Sequence, residues 1–122
     1  MKESETSMAK YEKYLTGNFD ALLHHLHQDI VEGSVSAHYE DGWDVIQGQV
    51  RVATRVYERY SYIGGNRVSM SVTLVGEGAN LRVVAITSGG SQAVFFKINT
   101  FGESAFLDKF IESLERFKQT AY

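Results

Sequence analysis

The stretch Arg67-Val68-Ser69-Met70-Ser71-Val72-Thr73-Leu74 decides the fold. Every second residue in it is apolar. Successive side chains on an extended backbone point to opposite sides, so this is the pattern of a strand with one buried and one wet face. The alternation runs from Arg51 to Thr87, interrupted by glycine-rich turns. Before the quoted segment, Val50, Val52, Thr54, Val56, Tyr60 and Tyr62 share one parity, and Arg51, Arg55, Tyr57 and Arg59 take the other. With apolar residues placed inside, the first row is expected against the core and the arginine row outward. Glu58 then stands in the inward row, where it is a buried carboxylate able to act in acid–base chemistry, or, more simply, is turned out by a bulge or sits near the sheet rim. If Gly64 to Asn66 forms the connecting loop, Tyr60 sits beside Met70 and Val56 beside Leu74. A turn of Gly64-Gly65 alone would instead put Arg59 on the face of Met70, so the longer loop is expected. In that register Tyr57 faces Thr73, Arg59 faces Ser71, and Arg82, Val84 and Ile86 continue the outward rows after a turn at Glu77-Gly78.

Two helical patterns enclose this meander. Asn18 is a good N-cap for a helix whose apolar stripe is Phe19, Leu22, Leu23, Leu26 and Ile30, with Gly33 at its C-terminal end. Phe106, Leu107, Phe110, Ile111, Leu114 and Phe117 trace the stripe of a closing helix, and Thr100-x-x-Glu103 fits a capping box at its start. Tyr11 to Leu15 reads as a short edge strand, with a helical reading nearly as good. Val35, Ala37 and Tyr39 alternate, Glu40-Asp41-Gly42 signals a turn, Trp43 to Gly48 is a short strand or link, and Ala93 to Ile98 reads as a last buried strand. The expected architecture is α+β: a single antiparallel sheet of four to six strands, with an N-terminal-half helix and a long C-terminal helix packed on one face. Residues 1–8 read as a flexible tail and 9–122 as one domain.

A chain of 122 residues is long enough to bury a core unaided, and 43% hydrophobic with 22% charged residues is an ordinary globular balance. A net charge of −3 argues against nucleic acid as a partner, because phosphate neutralisation needs a basic surplus. The absence of Cys removes disulfides, thiolate nucleophiles and cysteine metal knuckles. No apolar run approaches the roughly 20 residues of a membrane helix, and Met1 to Lys10 carries no apolar signal core. A cytoplasmic protein without membrane attachment is expected.

Chemistry-bearing constellations are few. Asp20, His24 and His27 fall on one side of the first helix and are the weak candidates for a metal, but the glutamate of a His-Glu-x-x-His site is missing. The histidines lie off the apolar stripe, so a solvated helix face is expected. Arg55, Tyr57, Arg59 and Arg82 are expected on the outer sheet face, where arginine and tyrosine suit a partner, a second copy or an anionic ligand. Ser88-Gly89-Gly90-Ser91-Gln92 offers backbone N–H groups, and Gly89, Gly90 and Ser91 are candidate binding positions at the sheet rim. It lacks the Lys and following helix of a P-loop, and no Gly-x-Ser-x-Gly elbow positions a serine.

The segments Glu58-Arg59-Tyr60-Ser61-Tyr62-Ile63-Gly64-Gly65-Asn66-Arg67-Val68-Ser69, Ala85 to Ala93 and Phe95 to Glu103 resemble a small bacterial family of single-domain proteins of unknown function, over about Tyr11 to Phe117. That resemblance implies no catalytic residue and no cofactor. The favoured reading is a non-enzymatic binding or interaction module, a homodimer acting through the outer sheet face and the glycine-turn rim. The alternative is a binder of a small apolar ligand on the helix-grip plan, in which a curved sheet wraps a helix; this is an analogy of architecture. A small enzyme using Glu58 or a histidine-bound metal ranks last.

Overall fold

The computed structural model describes residues 8–33, 37–61, 66–89 and 96–120. Strand β1 (Met8–Thr16) leads through Gly17 and Asn18 into helix α1 (Phe19–Glu32). Four strands follow, β2 (His38–Gln47), β3 (Val50–Ser61), β4 (Asn66–Glu77) and β5 (Asn80–Gly89), and helix α2 (Phe96–Thr120) closes the chain. The strands form one fully antiparallel sheet in the order β1-β5-β4-β3-β2. The edge strand suggested by Tyr11 to Leu15 is therefore real, and it pairs with β5.

Local chemistry accounts for most boundaries. The Asn18 side chain accepts the Ala21 N–H at 2.8 Å and so satisfies one of the free donors of the first turn. At the other end the Gly33 N–H still reaches the Asp29 carbonyl, and Gly33 keeps a negative φ of −100°, so the helix stops without a left-handed cap. The Ala37 N–H donates to the Ile30 carbonyl at 2.8 Å and ties the start of β2 back onto α1. The tight hairpins turn at Gly48-Gln49 and Gly78-Ala79, where glycine supplies φ of +63° and +61°.

The core lies between the two helices and one sheet face. Leu22, Leu26 and Ile30 of α1 and Phe106, Phe110 and Leu114 of α2 are fully buried against Met70, Leu74, Val83 and Ala85. Each helix thus buries its predicted stripe, which supplies most of its stability. The helix-facing rows of the sheet change character across it. Tyr11, Ala85 and Val72 meet Arg55 and Gly42, and Lys13, Val83 and Leu74 meet Ala53 and Asp44. The inner face is apolar on β4 and β5 and polar on β2 and β3.

Several expectations are corrected. Tyr57 lies opposite Met70 and Arg59 opposite Val68, displaced by an odd number of residues from the anticipated register. Every side chain of β3 therefore changes side: Arg51, Arg55, Tyr57 and Arg59 face the helices, while Val52, Thr54, Val56 and Tyr60 face away. Glu58 shares that outward row and pairs with Arg67, so it is neither a misfit nor a buried acid. Glu40-Asp41-Gly42 is no turn but a bulge inside β2, where the register slips between Tyr39 and Asp41. Phe96-Lys97-Ile98, expected at the end of a strand, begins α2, and Thr100 falls inside that helix rather than capping it. A short apolar run cannot be told from a buried helical turn by periodicity alone. The tail 1–7, Tyr62 to Gly65, and Gly90 to Phe95 with Ser91 among them lie outside the described residues.

Candidate functional site

Helix α1 overhangs the polar half of the inner face and leaves a cleft of about 680 Å³ between itself and β2. Its walls include His24 and His27 of α1, Tyr39, Trp43 and Asp44 of β2, and Arg55 of β3. Tyr57, 1% exposed, is buried behind His27 and Tyr39. The Tyr57 hydroxyl meets His27 Nδ1 at 2.8 Å. His27, Tyr39 and Tyr57 form a triangle of rings with centroids 5.3, 5.6 and 5.8 Å apart. Burial raises the Tyr57 phenol far above its ordinary range. Burial also lowers His27, and the Arg55 and His24 charges lower it further. His27 is therefore neutral near pH 7, and the pair carries no charge.

Two ion pairs frame the cleft. Arg55 grips Asp44 with both terminal nitrogens, at 2.9 and 3.2 Å, and also donates to the Thr54 carbonyl. Arg51 grips Asp20 in the same bidentate way at 3.0 and 3.1 Å while its guanidinium lies 4.1 Å from the centre of the Phe19 ring. The Arg51 hydrogen bond holds the Asp20 carboxyl below its usual range. These long side chains explain how arginines occupy a helix-facing row: their stems cover apolar surface and their heads reach its rim.

The histidines are not a solvated face. His25 Nε2 donates to the Ser113 carbonyl at 2.7 Å and the ring packs on Phe117, joining α1 to α2. His24 alone of the three is exposed. The weak metal candidates His24 and His27 do not assemble a site with Asp20, because Arg51 holds that carboxylate, and among the described residues no group of three metal-ligating side chains is found. Asp29 is pushed up by burial, but hydrogen bonds from Ser113 and Arg116 prevail and hold it below the ordinary carboxylate range.

The candidate binding residues are thus divided between two faces. Arg55 and Tyr57 converge at the cleft. Arg59 lies further along the same row, 5.5 Å from the Phe106 ring centre, and shares a cross-strand row with Val68 and Gly89 at the end of the sheet. Arg82 lies on the opposite face, against the ring of Tyr14.

That opposite face carries no described element. Across β1, β5, β4, β3 and β2, one of its rows is Tyr14, Arg82, Val75, Val52 and Val45. The next is Glu12, Val84, Thr73, Thr54 and Trp43, followed by Lys10, Ile86, Ser71, Val56 and Asp41. Tyr14 and Trp43 are 65% and 63% exposed. The sequence revealed the β4 and β5 members of these rows; the inverted β3 hid Val52 and Val56. Their only sequence signal is a Val-x-Val spacing that reads equally as core.

Fold and surface together define a small α+β protein with two helices on one side of an antiparallel sheet and, on the other, a face that mixes aliphatic, aromatic and polar residues. The chain belongs to the family of unknown function DUF6054, whose pattern matches residues 8–118. No curated protein matches it. Among solved structures it is similar to the hypothetical protein jhp0584 from Helicobacter pylori, at 9% identity and TM-score 0.48, over 92% of this chain and 90% of that one. It is also similar to TTHA0849 from Thermus thermophilus, at 13% identity and TM-score 0.35, over 89% of this chain and 94% of that one. At TM-scores below 0.5 neither likeness bears on function. No helix among the described residues is long and apolar enough to cross a membrane.

Proposed function

We propose that the protein is a non-enzymatic interaction module that pairs with a second copy of itself through the outer sheet face. The observation that carries this reading is the polarity of β3. Its outward row, Val52, Thr54 and Val56, is more aliphatic than its helix-facing row of Arg51, Ala53, Arg55, Tyr57 and Arg59. Beyond strand propensity, a monomer gains only part of what these valines can bury, since Val52 and Val56 are half-buried on this face. A sheet that stacks on another sheet gains burial on both faces.

The face also suits itself. Around a two-fold axis running parallel to the strands over β4, Lys10 meets the partner's Asp41, Ile86 meets the partner's Val56, and Tyr14 meets the partner's Val45. Five strands about 4.8 Å apart, each presenting three or four outward residues, make a patch of roughly 600 Å² per copy. The pair would bury about 1,200 Å², at the lower end of specific interfaces. Sedimentation of the intact chain over a wide concentration range tests the reading. A mass of twice 13.7 kDa is expected, and a strictly 13.7 kDa species at every concentration would overturn it.

An apolar ligand held between helices and sheet has less support. Leu22, Met70, Leu74, Val83, Phe106 and Phe110 are each 0% exposed, so their walls face no void the size of a water molecule.

A further inference from the structure

We propose that Arg59 anchors a binding site for a small monovalent carboxylate at the end of the sheet, beneath helix α2. The helix-facing side of β3 carries arginines at four-residue intervals, Arg51, Arg55 and Arg59. The chain gives the first two a carboxylate each, Asp20 and Asp44, gripped by both terminal nitrogens. Arg67 and Arg116 pair with Glu58 and Asp29, and Arg82 lies on the exposed outer face. Arg59 differs from them all. It is half-buried, its Nη1 is enclosed, and that nitrogen has no hydrogen-bond partner among the described residues. An enclosed charged donor is costly without an acceptor, and it marks a place where one is to be supplied.

The surroundings supply none. Along the row of Arg59 stand Val68 and Gly89. In the adjoining row the Tyr57 hydroxyl is taken by His27, Met70 is apolar, and the Thr87 hydroxyl donates to the Ala9 carbonyl. Phe106 of α2 places its ring centre 5.5 Å from the guanidinium carbon. A ring face attracts a cation but does not replace an acceptor in the plane of the fork. The chain has 15 acidic residues against 12 basic ones, so carboxylates are not in short supply. None of the described ones is paired with this head.

The same surroundings set the class of ligand. Neither row holds a second cation, so a single negative charge balances the site. A dianionic phosphate would keep an uncompensated charge against Phe106 and Val68, both buried. The planar fork suits a carboxylate held by two N–H groups, the geometry that Arg51 and Arg55 already use. Nε and Nη2 are not enclosed as Nη1 is. A carboxylate can therefore enter along that open edge and draw Nη1 round to complete the pair.

The site lies on the helix side of the sheet and is independent of pairing through the outer face. Sodium acetate is the probe, with sodium chloride at equal ionic strength as the control and sodium phosphate at about pH 8 as the dianion. Acetate is expected to shift the guanidinium carbon resonance of Arg59 saturably and to raise the melting temperature. Half-saturation in the millimolar range suits so small a ligand. Arg59→Met should remove both responses, and Arg59→Lys, which keeps the charge but loses the fork, should weaken binding severalfold. With no carboxylate present, Arg59→Met should melt several degrees above the native chain, because it removes an unpartnered charge. A less stable or unfolded Arg59→Met chain would make Arg59 a structural residue and overturn the proposal. So would the lack of a saturable response to acetate, an equal response to chloride, an undiminished response in Arg59→Lys or Arg59→Met, or tighter binding of phosphate.

Discussion

If the outer face pairs as proposed, replacing Thr73 by lysine should split that pair while leaving the fold intact. Thr73 is the centre of the outer face: its neighbours across the sheet are Val84 and Thr54, and its hydroxyl lies 3.5 Å from that of Thr54. Under the two-fold arrangement proposed above, Thr73 meets its own copy. Stacked sheets are about 10 Å apart with side chains interdigitated, so two lysines at this position bring their ammonium groups to about 6 Å. At an effective dielectric constant near 20, that repulsion is about 3 kcal/mol. Every 1.4 kcal/mol is tenfold, so the dimer should weaken about a hundredfold before any desolvation cost is counted. Equilibrium sedimentation in low salt should then find monomer at concentrations where the native chain is paired. Raising the salt to about 1 M shortens the screening length to roughly 3 Å and should recover part of the affinity. Mixing Thr73→Lys with Thr73→Glu should recover more, as a heterodimer. In the monomer position 73 faces water, so melting at high dilution should change by no more than about 0.5 kcal/mol. A Thr73→Lys chain that pairs as tightly as the native one in low salt refutes the assignment of this face, even if a dimer exists.

Tyr57→Phe removes one buried hydroxyl and leaves His27 Nδ1 unpartnered; a loss of about 1 kcal/mol is expected, lowering the melting temperature by roughly 4 °C in calorimetry, and an unchanged melt would mean the bond contributes nothing net. Because His27 is held below its unfolded value, the unfolded chain binds more protons than the folded one as pH falls below about 6.5. Stability should therefore begin to decline there, and His27→Gln should flatten this first limb in melts from pH 8 to 5. Asp29 is likewise depressed, so its contribution is present above the unfolded carboxylate value and vanishes as pH falls through the folded one. Asp29→Asn should accordingly flatten only the part of the curve below about pH 4. Gly89→Ala forces a side chain onto a φ of +121° with its Cβ 2.6 Å from the Arg67 carbonyl oxygen, and should cost about 2 kcal/mol or more; a chemical denaturation midpoint within error of the native one would show that the β4–β5 end relaxes freely.

The sequence carried much of this fold openly. Asn18 with the Phe19 to Ile30 stripe marked α1, the Phe106 to Phe117 stripe marked the core-facing side of α2, and the alternation in β4 and β5 gave both their faces correctly. Each of these segments obeys one rule, apolar toward the core, and all but α2 have a cap or a glycine turn to fix a boundary. Where two rules compete, the pattern misleads. The apolar run before α2 satisfies strand and helix alike over its short length. Glu40-Asp41-Gly42 has turn composition, yet the ladder between β2 and β3 continues past it because a bulge absorbs the extra residue. The cleft was half legible: Arg55, Tyr57, His24 and His27 all stood out as residue types, but in the anticipated register the first two and the last two lay on opposite sides of the sheet.

β3 is the decisive failure, and its cause has a consequence for function. Parity in a strand is assigned by assuming that one face is buried and that the more apolar row faces it. In β3 the more apolar row faces away from the helices, while Ala53 and Tyr57 suffice for the core because α1 covers only part of that row. Arg51 and Arg55 fill the remainder, stretched toward Asp20 and Asp44. Arg51 and Arg55 of this inverted strand find carboxylates on the rim, each such exposed pair being worth at most about 1 kcal/mol, while Arg59 keeps a buried Nη1 without a hydrogen-bond partner among the described residues. Val52 and Val56 are only half-buried on the outward side, and covering that face would bury the rest of their surface. The same inversion that defeats the periodicity argument is therefore the strongest sequence-encoded reason to expect a second layer over the sheet, and the helix-facing arginines it requires are what furnish the cleft with its charge.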